Sequence, residues 1–324
     1  MRVLVTGGAG FIGSHVCERL LCDGHEVSII DDLNDFYSPA LKRENLGCIT
    51  SAGPACFFHA DICDEIAVQR VFDATLPEAV IHLAGRAGVR PSLEQPLLYE
   101  QVNVRGTLVL LEQCRRLGIR KFIMASSSSV YGAANRVPFR EDDHVSHPIS
   151  PYAATKIAAE RLAYTYSHLY GIGVTCFRFF TVYGPRQRPD LAIRKFTEKI
   201  LQAQPIPVYG DGSASRDYTF VRDIVNGVMA AIEHDFAYEV FNLGNSSPLS
   251  LSDLIRSIET ATARKAIIRR LPDQPGDVPI TYADVSKAGR LLGYAPKTPF
   301  EQGIREFVDW LACRPVGQAS ACPG

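Results

Sequence analysis

Two rhythms of apolar and polar positions take turns along this 324-residue chain. Short runs rich in β-branched and apolar residues read as buried strands. Between them lie longer stretches with the 3.6-residue period of amphipathic helices. Val3–Thr6, Val27–Asp31, Cys56–Ala60, Ala79–Leu83, Lys121–Ser126 and Val174–Phe179 predict strands. Ile12–Leu21, Asp64–Ala74, Pro96–Leu117 and Pro151–Tyr170 predict the helices that connect them. Asp64 reads as an N-cap, Gly118 as a C-terminal stop and Pro151 as a first-turn proline. Asn34–Arg43 is polar and turn-prone. This alternation predicts an α/β fold, a doubly wound parallel sheet with helices on both faces and ligands outside the carboxyl ends of the strands. After Pro185 the rhythm loosens, and Pro189, Pro205, Pro207, Gly210 and Gly212 mark turns. Helices are expected over 191–203, 222–234, 250–262 and 299–311, and Glu239–Leu243 predicts a strand that rejoins the first sheet. The expected division is a first domain over 1–183, rejoined by 216–243. A smaller mixed α/β lobe follows from 184–215 and 244–312, with a disordered tail over 313–324.

The first strand runs into Gly7-Gly-Ala-Gly10-Phe11-Ile12-Gly13 and then a helix. Glycine serves where the backbone takes positive φ or where something must approach it closely. The N–H groups and dipole of the helix start make an anion site, where a dinucleotide pyrophosphate sits in such folds. The second strand ends in Asp31, followed by Asp32, an acid placed to accept hydrogen bonds from an adenosine ribose. A carboxylate there repels a 2′-phosphate, and no Arg adjoins the pair, so NAD is expected over NADP. A ligand-free turn, with Asp31 capping the next turn, is the bland alternative. Tyr152 and Lys156 are four apart on one predicted helix and share a face. A lysine cation near a phenol favours the phenolate, one way to make tyrosine a base near neutral pH.

Composition adds mostly exclusions. A net charge of −1 points to neither nucleic acid nor a membrane surface. Glycines interrupt the apolar N-terminal stretch before signal-peptide or spanning length, so a cytoplasmic protein is expected. Nine cysteines, without a C-x-x-C pair, are expected as reduced thiols. No metal is expected, since no His/Cys cluster has ligand spacing.

Taken together, Gly7–Gly13, Asp61-Ile62, His82-Leu83-Ala84, Ser127 before Val130-Tyr131-Gly132, Tyr152-Ala-Ala-Thr-Lys156, Arg178–Pro185 and Gly210–Tyr218 resemble the extended short-chain dehydrogenase/reductase superfamily. The resemblance covers nearly the whole chain except the tail. It implies a Rossmann-type NAD-binding domain and a nucleotide-diphosphate sugar held between two lobes. Ser127, Tyr152 and Lys156 are the implied catalytic set. Around the cofactor it implies Gly7, Gly10, Phe11, Ile12, Gly13, Asp31, Asp32, Asn34 and Lys42, then Asp61, Ile62, Leu83, Ala84, Gly85, Asn103 and Ser126, with Tyr152, Lys156, Phe179 and Val182. It also implies a homodimer paired through the helices near 96–117 and 151–170.

Dehydratases of this superfamily carry an Asp-Glu pair after the catalytic serine, and UDP-glucuronate decarboxylases a Glu; this chain has Ser128-Ser129. What remains is oxidation and re-reduction at one carbon, an epimerisation at C4 through a 4-keto sugar. Asn34–Tyr37, Ala87–Arg90, the serine run 126–129, Phe180–Asp190 and Gln274–Pro279 are similar to UDP-glucuronate 4-epimerases. The substrate residues so implied are Arg90, Ser127, Ser128, Ser129, Tyr152, Thr181, Arg188, Arg194, Val208, Arg216, Tyr218, Gln274 and Asp277. Ser128, Ser129, Thr181 and Arg188 are the donors a sugar carboxylate needs, and Arg216 is the partner of the UDP phosphates. One departure stands out: Arg186-Gln187 occupies the place where many members have Trp-Gly. The alternatives are a UDP-glucose/UDP-galactose 4-epimerase, an NAD-dependent alcohol dehydrogenase that accumulates NADH, and a non-catalytic NAD-binding regulator.

Overall fold

The computed structural model describes residues 1–133, 136–272 and 278–313. The strands are β1 (Arg2–Thr6), β2 (Glu26–Asp31), β3 (Ala55–His59), β4 (Ala79–His82), β5 (Lys121–Ser127), β6 (Gly173–Phe179), β7 (Thr181–Tyr183), β8 (Pro205–Tyr209), β9 (Ser215–Phe220), β10 (Tyr238–Leu243), β11 (Pro248–Ser250) and β12 (Ile267–Leu271). The helices are α1 (Phe11–Cys22), α2 (Pro39–Ala52), α3 (Glu65–Thr75), α4 (Val89–Glu94), α5 (Pro96–Glu100), α6 (Gly106–Leu117), α7 (Pro151–Tyr170), α8 (Ala192–Leu201), α9 (Val221–Glu233), α10 (Leu251–Thr262), α11 (Ser286–Leu292) and α12 (Phe300–Ala312).

Seven strands form one parallel sheet in the order β10-β6-β5-β4-β1-β2-β3. The chain winds outward from β1 in both directions, so the strand order reverses between β1 and β4 and opens a crevice at their carboxyl ends. Successive residues of β1 face opposite sides of the sheet. Val3 and Val5 pack under α1, α9 and α11, whereas Leu4 packs under α3, α6 and α7. A third apolar cluster gathers Ile193, Phe196 and Ile200 of α8, Val208 of β8, Tyr218 and Phe220 of β9, and residues of α10 and α12. Beside it lie a sheet ordered β11-β9-β7 and a parallel pair, β12-β8.

Several elements depart from the sequence reading. Asn34 and Asp32 do make side-chain-closed turns, but a helix, α2, begins at Pro39. It buries only Leu41, Lys42, Asn45 and Ile49, too few apolar positions to show a period. The long helix over 96–117 is interrupted by a π-helical segment, Gln101–Arg105, between α5 and α6. The strands of the smaller sheets also escaped notice: β7 and β11 are three residues long, β8 and β11 carry prolines at 205, 207 and 248, and β9 and β12 are rich in polar and charged residues. The C-terminal expectation beyond Cys313 lies outside the described residues. Among the described residues no helix is long and apolar enough to cross a membrane.

Helix α7 deserves a stability test because it carries Tyr152 and Lys156. Its N-cap, Ser150, is buried and accepts from the Ala153 N–H at 3.1 Å. Replacing an N-cap serine with alanine costs about 1 kcal/mol. Ser150→Ala should therefore lower the urea unfolding midpoint by that equivalent without changing the transition slope.

Candidate active site

The glycine turn is forced by close packing. Gly7 has φ +70°, and a Cβ there would stand 2.6 Å from the Ala84 nitrogen. A Cβ on Gly13 would stand 2.1 Å from the Gly7 carbonyl oxygen. Gly10, the N-cap of α1, offers no side-chain acceptor to the first turn, so those N–H groups stay available to an anion. Gly7, Gly10, Phe11, Ile12 and Gly13 line the crevice. Asp31 takes hydrogen bonds from the Ala9 and Leu33 N–H groups at 3.2 and 2.9 Å. Two such bonds leave carboxylate acceptor capacity for a ligand. Burial raises its pKa and Lys42, 3.8 Å away, opposes that. Lys42 therefore partly offsets the negative charge at this corner, a neighbour eleven positions away that adjacency along the sequence misses. Asp32, Asn34, Asp61, Ile62, Leu83, Ala84 and Gly85 complete this side. A glycine cradle at a helix start beside a buried acid fits a dinucleotide.

The same crevice continues to the carboxyl ends of β5 and β6, where Ser126, Ser127, Ser128, Ser129, Tyr152, Lys156, Phe179, Thr181, Val182 and Arg188 line it. Ser127 caps a one-turn 3₁₀ segment, Ser128–Tyr131, by accepting from the Ser129 N–H at 3.1 Å. Tyr152 is buried with its ring edge-on to Tyr99, centroids 6.1 Å apart. Burial pushes its phenol above the ordinary value; a hydrogen bond with Ser127 and the Arg188 charge pull the other way. Lys156 Nζ donates to the Ala125 carbonyl at 2.9 Å. Burial pushes Lys156 itself down to about 8, against the opposing effect of Glu160. Arg188 forms a two-pronged pair with Asp190, at 2.9 and 2.8 Å, and lies over the Phe36 ring.

Several expected residues stand outside this lining. Asn103, presented by the π segment, spends its amide on both backbone groups of Arg86 and on Thr155. Arg194 is buried on α8, bonded to Glu198 and to the Gln187 carbonyl. Val208 and Tyr218 belong to the third apolar cluster, and Arg216 donates to the Ser215 carbonyl. Arg90 reaches from α4 to β8, 5.2 Å over the Tyr209 ring. Gln274 and Asp277 lie outside the described residues. Conversely, Phe36, Tyr37, Arg86, Phe180 and Leu191 line the crevice without having been singled out. Only their aromatic or cationic character within the Asn34–Tyr37 and Phe180–Asp190 stretches could have pointed to them. A larger cavity, about 980 Å³, opens beyond α7, with Glu160 and Arg178 in its wall. It is wide and charged and holds none of the glycine, serine or Tyr152/Lys156 motif residues, so the chemistry belongs to the crevice.

The depressed Lys156 pKa has a measurable sign. In a ligand-free chain the unfolded lysine still binds its proton between about pH 8 and 10.5 while the folded one has released it. Stability attributable to Lys156 therefore rises with pH across that window. Urea unfolding of the native chain against Lys156→Met should show the difference shifting toward the native chain, by up to about 3 kcal/mol. A flat difference would remove the assignment.

A family model described as GDP-mannose 4,6 dehydratase matches residues 4–307. The UDP-glucuronate 4-epimerase of Thermodesulfobacterium geofontis is 44% identical over 308 residues, 95% of each chain. The UDP-glucuronic acid 4-epimerase of Bacillus cereus, solved in complex with UDP-glucuronic acid and NAD, has a TM-score of 0.90 at 34% identity, covering 96% of this chain and 99% of that one. The UDP-glucose 4-epimerase of Thermotoga maritima, solved with UDP-glucose, has a TM-score of 0.89 at 35% identity over the same shares. The chain belongs to the GDP-mannose 4,6 dehydratase family of extended short-chain dehydrogenases/reductases, alongside its NAD-dependent UDP-sugar 4-epimerases.

Proposed function

We propose that this enzyme interconverts UDP-glucuronate and UDP-galacturonate by oxidation and re-reduction at C4. The observation that carries the reading is the meeting of three features in one crevice. Ser127 and Tyr152 line it together, Thr181 and Arg188 stand beside them, and positions 128–129 carry hydroxyls where elimination or decarboxylation would need a carboxylate. The glycine turn, Asp31 and Lys156 would hold NAD, which supplies the hydride acceptor and donor at C4. Tyr152 takes the proton from the sugar O4 and later returns it. Ser127, whose oxygen is already fixed by the Ser129 N–H, points its own proton toward charge developing on O4. Arg188, by lowering the cost of a negative Tyr152, favours the phenolate. Ser128, Ser129, Thr181 and Arg188 supply donors for the sugar carboxylate. The 4-keto sugar turns over in the crevice between the two steps, so a full cycle leaves no net redox change.

The test is proton NMR of UDP-glucuronate mixed with the purified protein, without added NAD. UDP-galacturonate should appear, with no NADH and no carbon dioxide. Interconversion of UDP-glucose and UDP-galactose alone would shift the reading to the neutral sugar. Tyr152→Phe should lower kcat by about 10²–10⁴; near-full activity would remove the acid–base assignment.

The same reading includes a cytoplasmic homodimer. Leu97 of α5 is exposed, as are Tyr164 and Leu169 of α7, and pairing through the helices of 96–117 and 151–170 would cover apolar surface. Sedimentation should give twice the chain mass. A monomer mass throughout the micromolar range would sink the dimer.

A further inference from the structure

The Arg186-Gln187 pair, which the proposed function leaves unexplained, is bonded on both sides. Arg186 has φ +66°, a conformation non-glycine residues rarely adopt. Its guanidinium is largely buried against α1. Nη1 donates to Glu18 Oε1 at 2.9 Å, and Nη2 donates to Glu18 Oε2 at 2.5 Å and to His15 Nδ1 at 2.7 Å. Burial, followed by the Arg186 charge, pushes the His15 pKa down to about 3. The ring is therefore neutral, accepts at Nδ1 and donates from Nε2 to the Pro185 carbonyl at 2.9 Å. Gln187 is fully buried. Its Nε2 donates to the Val182 carbonyl at 3.1 Å, and its own carbonyl accepts from Arg194 Nη1 at 2.7 Å. Arg188, the next residue, lines the same crevice as Tyr152.

We infer that Arg186 is a positioning residue: through Glu18 and His15 it clamps the loop 184–190 to the helix that starts at the glycine turn, and so holds Arg188 at the sugar end of the crevice. The inference rests on the proposed function for its substrate. It makes the cofactor side and the sugar side of the site one mechanical unit, since α1 serves both. The clamp also accounts for the left-handed backbone at Arg186, which three side-chain bonds hold in place.

Arg186→Gly separates this role from folding, because glycine suits the same backbone while removing all three bonds of the Arg186 side chain and leaving only the His15 Nε2 bond to the Pro185 carbonyl. Glu18→Gln is the second variant, keeping the side-chain shape but not the charge. Two readouts are needed. Hydrogen exchange of amides 184–190 in the unliganded protein should quicken by tenfold or more in both variants, with the unfolding midpoint held within a few degrees. In a Tyr152→Phe background, where turnover does not interfere, the Kd for UDP-glucuronate should rise about tenfold while the Kd for UDP stays put. Unchanged exchange overturns the clamp whatever the substrate is. Faster exchange with equal weakening of both ligands, or of neither, overturns the positioning of Arg188. If the parent chain binds UDP but not UDP-glucuronate, the functional reading falls, and the exchange result still decides the clamp.

Discussion

The ion pair between Arg178 and Glu160 holds the site in register. Both side chains are almost completely buried, 3% and 1% exposed, and their contacts are 3.0 and 2.9 Å. Removing charges from water costs several kcal/mol per ion, and the pair recovers that only with near-ideal geometry and additional bonds. Here those bonds exist. Glu160 accepts from Ser126, and Arg178 donates to the Tyr131 hydroxyl, which in turn donates to Asn242. Five elements therefore meet at one buried polar knot: β5, the 3₁₀ turn, α7, β6 and β10. Because Tyr152, Lys156 and Glu160 follow one another at four-residue intervals, they lie on one face of α7. Fixing Glu160 fixes the rotation of that helix and turns the Tyr152–Lys156 stripe toward the crevice.

A second buried polar link ties the opposite flank. His82 is buried between Thr6 of β1 and Thr107 of α6, with ring contacts of 2.7 and 3.0 Å, and burial pushes its pKa down to about 3. It spans β1, its own strand β4 and the helix after the π segment without carrying charge. The crevice is thus framed by polar contacts that are specific in direction, while the apolar clusters on either side supply bulk cohesion. The neutral imidazole and the compensated ion pair avoid leaving an unpaired charge in the core.

Much of this was legible in the residues themselves. The bounds of α7 follow from Ser150-Pro151 at one end and Gly171 at the other, both local signals, and the strand predictions for the large sheet follow from continuous apolar runs. The glycine turn and the serine run sit at strand ends because the alternation of elements puts them there. What stayed hidden is pairwise and distant. Nothing near Arg178 in the sequence names Glu160 as its partner, and Lys42 meets Asp31 only once α2 has formed. The resemblance implies Asn103 and Arg194 as ligand contacts, and the bonds the fold gives them, to Arg86, Thr155, Glu198 and the Gln187 carbonyl, are not written in their neighbours along the chain. Short strands such as β7 and β11 exist only by pairing with β9, so their own three residues carry no decisive pattern.

The strand order also has a consequence for synthesis. β10 closes the large sheet by pairing with β6, yet it lies roughly sixty residues further along, beyond β7, α8, β8, β9 and α9. A ribosome adding about 5–20 residues per second needs roughly 3–12 s to make that intervening stretch. For that interval the emerging β6 has no permanent neighbour on one side, and unpaired strand edges invite association between nascent chains. Asn242, the outer member of the polar knot, arrives on that last strand. Completion of the knot and covering of the β6 edge are therefore a single, late event in the birth of the molecule.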